Sequence, residues 1–163
     1  MTFQQALDYL DAHASYEKTG RIESPTIDRM RTLVDACLKH GTVPIVTTIP
    51  PKSGSLEKSK QFADSVRKLA RELKVPLIDY QAEILKRRPE DWDGRLANFK
   101  EFEKNVYDVP TLIAGDGVHP SNPGKFKDYG EDGLKTNGYV LRNYLTLNAY
   151  ADVIRHVLAS TNR

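Results

Sequence analysis

The sequence predicts an α/β domain, a short parallel sheet covered by helices. Three observations carry that prediction. The run Val43-Pro44-Ile45-Val46-Thr47-Thr48-Ile49 is β-branched and apolar on both faces, as expected of a buried parallel strand. Val75-Pro76-Leu77-Ile78-Asp79 repeats the pattern on a smaller scale. Helical stripes alternate with the two runs through tight connections, which is the βαβ rhythm.

The elements follow in order. Thr2-Phe3-Gln4-Gln5 reads as a capping box, and Phe3, Ala6, Leu7 and Leu10 follow at helical spacing. Residues 14–24 are polar and predict a surface loop. Ser24-Pro25 is a helix start, and Ile27, Met30, Leu33, Val34, Cys37 and Leu38 form one apolar face. Lys39-His40-Gly41 closes that helix with basic residues and a glycine. The first strand run ends at Pro50-Pro51, and Ser53-Gly54-Ser55 is a short loop. The next helix turns Phe62, Val66, Leu69, Ala70 and Leu73 inward. After the second strand run, Gln81 to Arg88 predicts another helix, stopped by Pro89. Residues 90–110 predict an irregular excursion, and residues 125–137 an exposed polar stretch. A long terminal helix runs from about Gly138 to Ala159, and its apolar face is wide enough to pack on a sheet.

Size and charge narrow the class. With 163 residues, 39% hydrophobic and 28% charged, the chain suits one domain over 1–163 with a real core. A net charge of +2 with interleaved signs gives no electrostatic case for nucleic acid or a membrane surface as partner. Cys37 is the one cysteine, so no internal disulfide forms, and its place in an apolar stripe predicts a buried structural thiol. The start at Met1-Thr-Phe-Gln-Gln has no signal-peptide pattern, and no apolar run approaches a membrane span. Localisation is left open.

Chemistry concentrates in Gly115-Asp116-Gly117-Val118-His119-Pro120-Ser121-Asn122-Pro123-Gly124, a run too rich in glycine and proline for helix or strand. Asp116 and His119 stand three residues apart on it, just ahead of the terminal helix. A charged pair on a stiff loop is how many hydrolases present a general base and its orienting carboxylate. The plainer readings are a surface histidine and an aspartate that bonds its own turn.

The strand at 43–49 should be central, yet no convincing neighbour besides 75–79 exists in the sequence, and two parallel strands are not a stable unit. Asp116-Gly117-Val118-His119-Pro120-Ser121, followed by a terminal helix, resembles the last sequence block of the SGNH, or GDSL-type, hydrolases. Gly41 to Pro51 resembles that family's fourth strand with its approach, and Val75 to Asp79 its fifth. The resemblance spans roughly residues 26 to 160. It implies an incomplete three-layer αβα, flavodoxin-like fold, of which this chain is the C-terminal part. It also implies His119 as general base and Asp116 as the carboxylate that orients it. The substrate implied is a small-molecule or carbohydrate ester, cleaved through an acyl-serine without metal or organic cofactor. The family's G-D-S and G-x-N-D blocks are absent. The resemblance therefore implies a chain that begins past its first three strands and is inactive alone.

Other candidates weigh less. Ser121 could substitute as nucleophile, but Ser-Asn-Pro-Gly is turn chemistry. Ser53 and Ser55 follow the C-terminal end of the first strand, where α/β sites form, and read either as cleft lining or as a flexible loop. Asp79 reads as a helix cap. Asp116, His119 and one further acid could be imagined around a metal, but no His/Cys cluster, phosphate loop or dinucleotide fingerprint supports a metal or cofactor. A second class of function stands beside the hydrolase: a non-catalytic α/β module whose half-sheet is completed by another chain, or by self-association, along the 43–49 strand.

Overall fold

A computed structural model describes residues 24–158. The helix expected near Met1, its capping box and most of the polar stretch at 14–24 lie outside the described residues. The described part is a mixed α/β arrangement. Its order is α1 (Ser24–Lys39), β1 (Val46–Thr47), α2 (Leu56–Leu73), β2 (Leu77–Ile78), α3 (Tyr80–Arg87), α4 (Glu131–Thr136) and α5 (Gly138–Val153). Short 3-10 segments cover Ala97–Phe102 and Gly124–Phe126, and a π-helical turn, Ile154–Leu158, follows α5.

The strands pair in parallel, Val46 opposite Leu77 and Thr47 opposite Ile78. The amides of Val46 and Thr48 donate to the carbonyls of Pro76 and Ile78, each at 3.0 Å. The ladder is shorter than the runs 43–49 and 75–79, because Pro44, Pro50, Pro51 and Pro76 supply no N–H. Thr47 is exposed, so β1 is not buried on both faces among the described residues. There it pairs on one edge only, with β2.

Alternation along the strands feeds two apolar clusters. Val46, with Leu77 packed beside it, joins Val34 of α1 and Phe62, Val66 and Ala70 of α2. Ile78, with Ile45 packed beside it, joins Tyr80 and Ile84 of α3, the loop residues Trp92, Leu112 and Ile113, Leu134 of α4 and Leu141 of α5. Both α2 and α3 are amphipathic: α2 packs through the stripe its spacing predicts, and α3 buries Tyr80, Gln81 and Ile84. Lys74 ends α2 in the left-handed region at φ 54°, its N–H returning to the carbonyls of Ala70 and Arg71. Asp79 caps α3, its carboxylate accepting from the Ala82 amide.

Several expectations need correction. Cys37 is half-buried, because the last turn of α1 runs out into solvent with Leu38, Lys39 and His40 exposed. The stretch 125–137 contains α4, and Gly133, Leu134 and Asn137 are buried. One apolar anchor, Leu134, is enough to dock so short a helix, and it leaves no periodicity to read. The long terminal helix is regular only to Val153. Its wide apolar face buries Leu141 and Val153, while Leu147 and Ile154 stay exposed.

Candidate active site

The Asp116–His119 loop is the tip of a narrow hairpin. Leu112, Ile113 and Ala114 are fully buried beneath it. The Ala114 amide donates to the His119 carbonyl at 2.7 Å, and the Ser121 amide to Leu112 at 3.3 Å. Gly117 turns the tip at φ 76°, a conformation that favours glycine. Its amide donates back to Ala114 at 2.9 Å. On one flank, Gly115 donates to the Val106 carbonyl at 2.8 Å; on another, the Ser53 amide donates to the Gly117 carbonyl at 2.9 Å.

Ser121 anchors the hairpin to α5. It is buried, and its hydroxyl donates to the Thr111 carbonyl while accepting from the Gly138 amide at 3.1 Å. Gly138 is required by close approach: a Cβ there would overlap the Leu112 carbonyl oxygen and Pro120. Asn137, also buried, caps α5 by accepting from the Val140 amide at 3.0 Å. The loop is therefore fixed from below by the helix that follows it.

On this base Asp116 and His119 meet. Nδ1 of His119 lies 2.7 Å from Oδ2 of Asp116. Oδ1 accepts from the amides of Val118 at 2.9 Å and His119 at 3.0 Å. The Tyr107 hydroxyl donates to Oδ2 at 3.2 Å. Four donors surround the carboxylate, as many as its lone pairs accommodate. Partial burial pushes the Asp116 carboxyl up, but the two amides and the imidazole outweigh it and hold it below the usual carboxylate range. An ionised Asp116 is acceptor only, so Nδ1 of His119 carries the proton toward it. In the neutral ring Nε2 then keeps the lone pair, and it has no hydrogen-bond partner among the described residues. The His119 side chain is 58% exposed, so that lone pair is open to an incoming group.

The remaining candidates separate. Ser53 lies against the tip, its Cβ 2.6 Å from where a Cβ on Gly117 would stand. Ser55 stays at the head of α2. Ser121 is committed to the scaffold beneath the loop. Asp79 is consumed by structure: Arg67 binds it with two bonds, Nε to Oδ2 at 2.7 Å and Nη2 to Oδ1 at 2.8 Å, and Thr48 adds a third at 3.2 Å. No group of three or more metal-ligating side chains occurs among the described residues, and no helix there is long and apolar enough to cross a membrane. Tyr107 and Arg95 were not singled out by the sequence. Both come from the irregular stretch 90–110, where no period marks a residue that will fold back onto the loop.

Compared with models of known protein families, with curated proteins and with solved structures, the chain matches none. The functional reading therefore rests on the residues and their geometry.

Proposed function

We propose that Asp116 and His119 are the carboxylate and general base of an SGNH-type ester hydrolase, and that this chain is the C-terminal part of that domain. The observation that carries the reading is the 2.7 Å contact between His119 Nδ1 and Asp116 Oδ2, which leaves Nε2 on the far side of an exposed ring. In that chemistry Nε2 takes the hydroxyl proton of a serine as its oxygen attacks the ester carbonyl. The proton then goes to the departing alcohol, and water later releases the acyl group by the same route. Asp116 keeps the imidazole oriented and stabilises its charged form. The two apolar clusters, with the strand pair between them, support a three-layer αβα arrangement for the parent domain.

The serine and most of the oxyanion hole would come from sequence that precedes the resemblance. Loss of such groups removes many orders of magnitude of rate, so the chain alone should not turn over esters. The test is hydrolysis of 4-nitrophenyl acetate, with no rate expected above that of His119→Ala. Turnover that vanishes both in that variant and after treatment with a serine-directed fluorophosphonate would reveal a serine nucleophile within the chain. The coding sequence upstream of Met1 tests the other half. In-frame G-D-S and G-x-N-D blocks, and His119-dependent turnover by the extended product, support the hydrolase.

A second reading is a non-catalytic module completed by another chain. It is favoured by the single paired edge of β1 among the described residues and by Leu147 and Tyr150, each 58% exposed on α5. Sedimentation separates the cases: a compact monomer counts against strand completion, and a stable complex supports it.

A further inference from the structure

An open cleft of about 330 Å³ lies beside the Asp116–His119 loop. Gly115, the residue before Asp116, forms part of its wall. Arg95 lines it too and reaches the loop tip, its Cδ 2.6 Å from where a Cβ on Gly117 would stand. The cleft therefore borders the loop through Gly115 and Arg95, while Asp116 and His119 lie outside its lining. Its volume sits at the small end of ligand clefts, which run from about 300 to 1,000 Å³.

The lining has two parts. Phe99, Phe102 and Val106 are half-buried and give an apolar wall. Phe99 interrupts the 3-10 run with φ −115° and ψ 18°, and the Arg88 guanidinium lies 5.9 Å from its ring centroid. Arg88 is itself held by Asp91 and the Pro110 carbonyl, so this ring is braced before any ligand arrives. The exposed residues Arg95, Lys100 and Glu103 supply the charge. None of the three has an ion-pair partner among the described residues, whereas Arg67, Arg87 and Arg88 are all paired. Two cations and one acid leave the lining one positive charge in excess. That balance suits a single carboxylate better than a phosphate dianion, and an arginine fork matches carboxylate geometry.

We propose that this cleft binds a small monocarboxylate with an apolar body, and that the ester handled at His119 carries such an acid group. Binding stands on the cleft alone; the link to an ester rests on the hydrolase reading above. Arg95 and Lys100 would hold the carboxylate, while Phe99, Phe102 and Val106 cover the apolar part.

The probe is benzoate, titrated into the full chain and followed by amide NMR shifts, with benzamide and phenyl phosphate alongside. Benzoate should shift amides of residues 94–106 and Gly115, and bind about tenfold more tightly than benzamide. Arg95→Gln with Lys100→Gln should erase that preference, and Glu103→Gln should strengthen benzoate binding a few fold. These are exposed positions, so folding should survive, and the amide spectrum reports it directly. Equal binding of benzamide, shifts confined elsewhere, or tighter binding of phenyl phosphate would overturn the assignment. The hydrolase reading is judged separately, by the tautomer of His119. Benzoate binding with the wrong tautomer would sink that reading and leave the cleft, and the reverse pairing would sink the cleft.

Discussion

Oδ2 of Asp116 lies 2.7 Å from Nδ1 of His119, while Oδ1 is held by the amides of Val118 and of His119 itself. One carboxylate thus fixes both the backbone and the ring of the same histidine. A local turn and the proposed catalytic pair are the same object here, and the proposed chemistry depends on the turn being rigid.

Gly117 is the point where that rigidity is most exposed to substitution. Alanine there would force a non-glycine residue to φ 76° and place its Cβ 2.6 Å from both Ser53 Cβ and Arg95 Cδ. Gly117→Ala should cost roughly 2 kcal/mol in urea unfolding. Gly124 has open space around its Cβ position and no positive φ, so Gly124→Ala should stay within about 0.5 kcal/mol. Equal effects would show that the tip is not held as described.

Ser121 should behave as scaffold. Its hydroxyl serves the Thr111 carbonyl and the Gly138 amide in a fully buried position. Ser121→Ala leaves both unpaired and should lower stability by about 2 kcal/mol. A serine-directed fluorophosphonate should fail to label Ser121 in the folded chain. Labelling at Ser121, checked by peptide mass spectrometry, would reopen it as a nucleophile.

Acid should loosen the fold partly through Asp79. Burial raises its pKa, but the Arg67 fork, the Ala82 amide and Thr48 outweigh that and hold it below the usual carboxylate range. A depressed carboxyl contributes stability above its unfolded pKa and loses it as pH falls through the folded value. Asp116 is depressed in the same direction. Thermal unfolding of the wild type should therefore weaken as pH drops below about 4. Asp79→Asn should be less stable near neutrality, by about 2 kcal/mol, with a flatter acid slope. An unchanged slope would mean that the Arg67–Asp79 pair contributes nothing.

Much of this scaffold was legible because local pattern and tertiary role agree. α2 buries Phe62, Val66, Leu69 and Ala70, the stripe its spacing marks, and Asp79 caps the helix it precedes. Asp116 and His119 were legible because glycine and proline exclude regular structure around them. Tyr107 and Arg95 were not legible as neighbours of that loop, since both come from an irregular segment, whereas Ser53 was marked by its place after the first strand. Ser121 reads as turn chemistry in the sequence, and its burial under α5 could not be read there, because it depends on the approach of Gly138 to Leu112 and Pro120. β1 fell short of its prediction because prolines interrupt the ladder that its apolar run suggests.

The proposed base role of His119 stands or falls on which ring nitrogen carries the proton. Nitrogen-15 NMR of the neutral imidazole reads this directly. The geometry predicts the Nδ1–H tautomer with a free Nε2 in the wild type, and loss of that preference in Asp116→Asn. A predominantly Nε2–H ring in the wild type, or the same tautomer balance in Asp116→Asn, would contradict it.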